Sequence, residues 1–251
     1  MTQSKLSQTE EYLWDLIQSN PQKCAHLSIE KLAEMANVST ATVVRTMKKQ
    51  GYSGYTEFRQ SALRNSDQPR YEILTKVNEK IRKVIIKNQT ELENTIELLD
   101  ENVIEDSVQE VINANKVYIF ARGLSELIAQ EMIIKLQLLG KIVQMHDDPE
   151  IMRTISKNIS ADSVGIFITL NGNTQELVDV ARNLNKKDIT TITFTTNING
   201  RINEYSDLTF LGFKSKTSYF KNYEVHSRLP LQIDTRIFTD ALAQRLEEME
   251  N

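Results

Sequence analysis

Cysteine is almost absent. Cys24 stands alone among 251 residues, which excludes a disulfide within the chain and fits a reducing compartment. Four prolines and eight glycines are too few for a fibrous or low-complexity chain. No apolar run approaches the roughly 18 residues that a membrane span requires. The first twenty residues carry Glu10, Glu11 and Asp15 within an amphipathic pattern, unlike the basic-then-apolar layout of an export signal. The three histidines, His26, His146 and His226, have neither paired cysteines nor His-x-x-x-His spacing, so the sequence asks for no metal and no cofactor. These absences leave a globular protein of the cytoplasm, with no membrane among its partners.

The length favours two domains over one. The formal charge of −4 argues against nucleic acid only if it is spread evenly, and it is not. Residues 1–66 sum to +2 and the remainder to −6. Within residues 39–64, Arg45, Lys48, Lys49, Arg59 and Arg64 face a single acid, Glu57. Such a patch suits phosphate.

The first part of the chain reads as wholly helical. Ser7 and Glu10 stand at capping-box spacing, followed by Tyr12, Leu13, Leu16 and Ile17 on one face, with Trp14 beside them in the small core. Asn20 and Pro21 stop that helix. Ser28 starts a short helix carrying Ile29, Leu32, Ala33 and Met35, and Ser39 starts another carrying Val43, Val44 and Met47, ended by Gly51. A last helix after Gly54 buries Tyr55, Phe58 and Leu63. The polar stretch Asn65 to Pro69 reads as a linker. Beyond it Leu74, Val77, Ile81, Val84, Ile85, Leu92, Ile96 and Leu99 recur at helical steps, as a dimer seam or as packing within their own domain.

From Lys116 the pattern becomes short apolar runs separated by amphipathic ones. The runs are Val117–Phe120, Ile142–Met145, Val164–Leu170, Ile189–Phe194 and Leu208–Phe213. Alternation of this kind predicts a five-stranded parallel sheet flanked by helices. The expected division is 1–66 for the helical domain, 67–102 for a helical linker and 103–251 for the α/β domain.

Ser28 to Gln50 has the layout of a helix-turn-helix, with Ala33 where two helices approach closely. In its second helix Val43, Val44 and Met47 pack inward. Thr40, Thr42, Arg45, Thr46, Lys48 and Lys49 are left for base edges and phosphates, and Ser39 can offer a hydroxyl and backbone N–H groups to a phosphate. A plain helical bundle with a solvated basic face satisfies the same periodicity. The residues themselves go further: Ser28-Ile29-x-x-Leu32-Ala33, Val38-Ser39, Ala41-Thr42-Val43-x-Arg45 and Gly51-Tyr52-x-Gly54-Tyr55-x-Glu57-Phe58 resemble the N-terminal domain of RpiR-type (MurR/RpiR) regulators. The resemblance implies that Ser39, Thr40, Thr42, Arg45 and Lys49 face a double-stranded operator.

Ligands of parallel sheets sit outside the carboxyl ends of strands, where loops open helices. Ala121-Arg122-Gly123-Leu124-Ser125 and Asn171-Gly172-Asn173-Thr174 are two such loops, each with a glycine for a tight turn and polar side chains suited to phosphate. Each taken alone is better read as a capped helix. Together they resemble the sugar isomerase (SIS) domain over Val103 to Leu246. Gly123 and Ser125 match its first loop, where Ala121 replaces a glycine. Gly172, Thr174 and Glu176 match its second, where Thr169 and Asn171 replace serines. Thr195, Glu224, Ser227 and Arg228 fall where SIS regulators place comparable residues. The implied ligand set is Gly123, Ser125, Thr169, Asn171, Gly172, Asn173, Thr174 and Glu224, holding a phosphorylated sugar. With the helix-turn-helix, the resemblance implies a transcriptional regulator rather than an enzyme, acting on an inverted-repeat operator as a homodimer or tetramer. The alternative is a sugar-phosphate isomerase or lyase, whose acid and base would come from Glu224, His226, Glu176 and His146.

Overall fold

The computed structural model describes residues 6–64, 72–220 and 225–250. The chain divides into two compact units, Met1–Arg82 and Lys83–Asn251. The Asn65 to Pro69 linker and Glu224 lie outside the described residues, as do the side chains of Leu63 and Arg64.

The first unit is helical: α1 (Gln8–Ser19), α2 (Pro21–His26), α3 (Ile29–Met35), α4 (Thr40–Lys49), α5 (Tyr55–Arg64) and the short α6 (Ile73–Lys76). Local chemistry sets the starts. Ser7 and Glu10 form the reciprocal capping box of α1, with the Ser7 N–H donating to Glu10 at 2.8 Å. Ser28 and Ser39 accept the Lys31 and Thr42 N–H groups at the heads of α3 and α4. Asn20 and Pro21 do more than stop α1. Asn20 accepts the Lys23 N–H and Pro21 opens α2, a helix the apolar periodicity does not predict. Leu13, Ile17, Leu32, Val43, Met47 and Phe58 close one core, with Trp14 packed against it. Tyr12 and Met35 instead point outward. Gly51 ends α4 at φ +93°, a conformation open to glycine at no steric cost.

The apolar stretch from Leu74 to Leu99 forms two helices, α6 and α7 (Glu79–Glu97), and α8 (Glu101–Asn113) follows. Of the apolar stripe on α7, Ile81, Val84 and Ile96 are exposed and Ile85 and Leu92 half-buried, whereas Glu91 and Thr95 are fully buried.

The second unit is a three-layer α/β domain. Strands β1 (Lys116–Ala121), β2 (Val143–His146), β3 (Ser163–Ile168), β4 (Thr191–Thr195) and β5 (Leu208–Leu211) form one sheet in the order β2-β1-β3-β4-β5, and every pairing is parallel. Between them run α9 (Ser125–Leu138), α10 (Pro149–Ser156), α11 (Gln175–Asn185) and a 3₁₀ turn (Arg201–Tyr205); α12 (Leu229–Glu250) follows β5. Asp148 caps α10 ahead of Pro149, as Asp147-Asp148-Pro149 predicts.

Strand side chains alternate between two cores. Val117, Ile119, Ile166 and Phe194 pack with α8, α9 and α12, while Tyr118, Phe120 and Phe167 pack with α10 and α11. Each such Phe, fully buried, contributes about 2–3 kcal/mol. Among the described residues no helix is long and apolar enough to cross a membrane.

Candidate functional site

In the first unit α3 and α4 are joined by a turn in which Asn37 takes a left-handed conformation, φ +51°, and the Val38 N–H closes back on the Ala33 carbonyl at 2.9 Å. Ala33 is buried where the two helices meet. The outward face of α4 carries exposed Thr40, Arg45 and Lys48, half-buried Thr42, and exposed Ser39 at its head. Arg45 reaches back to the Thr42 hydroxyl at 3.4 Å, and Ser39 and Thr42 share a 2.9 Å hydroxyl contact. Hydroxyls, a guanidinium and the helix's own N–H groups are thus gathered over the first turns of α4.

Two expected members of this face, and one cation of the basic patch, are engaged elsewhere. Thr46 is fully buried and its hydroxyl donates to the Thr42 carbonyl at 2.9 Å, so it cannot reach a base edge. Lys49 pairs at 2.7 Å with Glu10, whose side chain is only 5% exposed, tying α4 to α1. The Lys49 hydrogen bond, with the Ser7 N–H second, holds the Glu10 carboxyl down to about 2. Arg59, counted with the basic patch, donates to the Ala25 carbonyl at 2.7 Å, beside Tyr55, whose hydroxyl takes the Cys24 carbonyl at 2.6 Å. Those two side chains close the end of α2.

In the second unit the strand order reverses direction between β1 and β3. A parallel sheet with this order opens its crevice there, at the carboxyl ends of the two strands. The two glycine loops picked from the sequence follow β1 and β3. They are brought together by Arg122, whose Nε donates to Glu176 at 3.2 Å and whose other nitrogen reaches the Asp147 carbonyl. In the first loop Gly123 adopts φ +59°, and its N–H is taken by the Glu126 carboxylate at 2.7 Å. Ser125 opens α9, and Thr174 immediately precedes α11. Neither hydroxyl has a hydrogen-bond partner among the described residues.

The rest of the second loop is braced rather than open. Thr169 is buried and its hydroxyl accepts the Gly172 N–H at 3.3 Å, so Thr169 shapes the loop instead of facing a ligand. Gly172 has φ +67°, and a Cβ there would stand 3.0 Å from Gly200 Cα. The loop therefore rests on the turn after β4. Asn173 accepts the Arg201 N–H at 3.0 Å, and Asn197 donates to the Asn171 carbonyl at 3.0 Å. Lys214, just past β5, donates to Asn171 Oδ1 at 2.8 Å. Arg122, Asn197, Gly200, Arg201 and Lys214 belong to this constellation although the sequence reading gave them no role. Of these, only Arg122 lay inside a loop already singled out.

Of the candidate acid–base residues of the isomerase alternative, Glu176 is taken by Arg122, and His146 stacks with Tyr118 and Phe120, where burial lowers its pKa; among the described residues His146 Nε2 and His226 Nδ1 are buried without hydrogen-bond partners. A concavity of about 340 Å³ lies near the other end of the sheet, lined by Asp106, Glu110, Asp207 and their neighbours. Three carboxylates make it unfit for phosphate.

Residues 1–70 match the model of the helix-turn-helix domain of the rpiR family, and residues 110–232 match that of the SIS domain. An uncharacterised HTH-type transcriptional regulator of Providencia stuartii is 29% identical over 194 residues, covering 74% of this chain and 69% of its own. The HTH-type transcriptional regulator GlvR of Bacillus subtilis is 27% identical over 196 residues, covering 76% and 72%. Among solved structures, the Vibrio vulnificus NanR protein complexed with ManNAc-6P superimposes with a TM-score of 0.59 at 20% identity, over 97% of this chain and 88% of that one. The chain belongs to the RpiR-type transcriptional regulators, with an rpiR-family helix-turn-helix followed by a SIS domain.

Proposed function

We propose that residues 1–66 bind an inverted-repeat operator, that residues 103–251 hold a phosphorylated sugar at the β1/β3 crevice, and that residues 67–102 connect the two, in the cytoplasm. The observation that carries this reading is the pair of helix-opening loops flanking the switch point, with the Ser125 and Thr174 hydroxyls left without partners. Hydroxyls beside helix N-termini are suited to phosphate oxygens. The NanR neighbour, solved with ManNAc-6P, makes amino-sugar phosphates the first class to try. On the DNA side Ser39, Thr40, Thr42, Arg45 and Lys48 are the operator contacts.

A homodimer supports two half-sites. The stripe Leu127, Ile134 and Leu138 of α9 is exposed, Leu138 by 82%, on a helix whose opposite side is buried in the core. A helix apolar on both sides favours a second partner.

The test pairs two variants on the full chain. A duplex selected from a random pool is titrated by fluorescence anisotropy, and ManNAc-6P, glucosamine 6-phosphate and glucose 6-phosphate by calorimetry. Arg45→Ala should weaken the selected duplex at least about tenfold, the value of one good base contact, and leave sugar-phosphate binding intact. Ser125→Ala with Thr174→Ala should do the reverse. Loss of both activities in either variant, or no preference of the parent chain for any duplex, would overturn the reading.

A further inference from the structure

The polar groups buried on α7 are unusual for a helix whose apolar residues face outward, and they share one target. The Glu91 carboxylate, fully buried, accepts the Ser215 N–H at 3.0 Å and the Lys87 ammonium at 2.8 Å. Thr95, also fully buried, accepts the Phe213 N–H at 3.0 Å and donates to the Glu91 carbonyl at 2.6 Å. Both side chains therefore grip the segment Phe213–Ser215. The residue between the two gripped amides is Lys214, whose ammonium lies 2.8 Å from Asn171 Oδ1 in the second loop. One short segment is thus fastened to α7 by its backbone and to the crevice by its side chain.

No carboxylate pairs with Lys214 among the described residues, and burial, with the neighbouring Arg228 charge second, lowers its pKa. An amide oxygen is a poor substitute for an anion beside a half-buried ammonium. A phosphate arriving at Asn171 to Thr174 would displace that amide as the acceptor.

We propose that Lys214 contacts the anionic group of the bound effector and that Glu91 and Thr95 pass its displacement to α7; this rests on the effector site proposed above. Hydrogen bonds to two backbone amides do not slide as apolar contacts do. When the segment shifts, α7 follows, or the Phe213 and Ser215 N–H groups lose their acceptors, each at the desolvation cost of a donor left unpaired. The helix runs unbroken to Glu79, and residues before Lys83 belong to the first unit. The signal thus has a continuous covalent carrier.

The experiment uses the full-length chain with inorganic phosphate, against chloride at equal ionic strength, followed by thermal shift and by hydrogen exchange of the 171–175, 213–215 and 91–97 segments. Phosphate should slow exchange at 171–175 and change it at 91–97 in the parent chain. Lys214→Gln should weaken phosphate on the order of tenfold, with partial recovery in Lys214→Arg. Glu91→Gln, and independently Thr95→Val should the first variant fail to fold, should keep phosphate protection at 171–175 and lose the change at 91–97. Parent-like phosphate binding by Lys214→Gln, a protected loop with α7 unaffected in the parent chain, or a parent-like α7 response in the α7 variants would overturn the proposal. No protection at 171–175 in the parent chain would instead overturn the effector site on which it rests.

Discussion

Asp234 is the least comfortable charge in the second unit, and replacing it should stabilise the protein in a pH-dependent way. The residue is fully buried in α12, and neither carboxylate oxygen has a partner among the described residues. A Cβ placed on Gly212 would stand 2.9 Å from Oδ2, so there is no room for a bulkier neighbour to relieve it. Burial raises its pKa from 3.8 to about 7. Between those values the folded chain keeps a proton that the unfolded chain has released. Stability therefore falls as pH rises through this window and levels off above about pH 7. A difference of roughly three units corresponds to about 4 kcal/mol. Asp234→Asn removes the titration, but its buried amide also needs partners, at a cost of about 1–3 kcal/mol. The variant should be less stable than the parent by about 1–2 kcal/mol at pH 4 and more stable by about 2 kcal/mol at pH 8. Urea denaturation across that range, read as the midpoint with a constant slope, measures it. A difference that does not change sign or grow with pH would show that the carboxylate is stabilised by something other than its proton.

On the reading helix, Thr46→Val should leave operator affinity within about twofold, because the hydroxyl serves only the Thr42 carbonyl, whereas Lys48→Ala should flatten the salt dependence by about one unit of slope in anisotropy titrations. The pH behaviour of Glu10 runs opposite to that of Asp234. Its folded pKa of about 2 lies below the ordinary 4.5 of a free glutamate, so its contribution is full above pH 4.5 and is lost as pH falls towards 2. Glu10→Gln should accordingly destabilise the first unit by about 1 kcal/mol at pH 7, read as a lower melting temperature, and have little effect near pH 2. Leu138→Lys should shift the chain towards monomer in sedimentation equilibrium and weaken binding to paired half-sites more than to a single half-site; an unchanged molecular mass would remove α9 from the dimer interface.

The strands, the caps and the two glycine loops were legible because their signals are local. A serine two or three residues before an apolar step, or an apolar run ending in a glycine turn, reports its own backbone geometry. Thr46 and Lys49 misled for the opposite reason. Periodicity marks Val43 and Met47 as the buried stripe of α4, but α1, α3 and α5 all pack on that helix, so the covered arc widens to take in Thr46. The acid that claims Lys49 is 39 residues away in sequence, and no helical repeat reports such a pair. Arg59 was claimed in the same way by a carbonyl at the end of α2. The second loop lost Thr169 as a ligand residue because Gly172 needs an acceptor for its own N–H, a requirement visible only once the loop is folded.

The helix α7 inverts the ordinary rule that apolar residues seek the core, and the inversion has a physical reason. A stripe such as Ile81, Val84 and Ile96 would gain by burial, yet apolar packing against the sheet would hold the helix with many small, undirected contacts. Such a contact tolerates small displacements and passes little of them on. Glu91 and Thr95 instead hold it by a few directed bonds to Phe213 and Ser215, each costly to break and each sensitive to where that segment lies. A regulator needs two arrangements separated by a few kcal/mol, and a differential of that size must come from contacts that change between them. Two hydrogen bonds to one segment are of the right size.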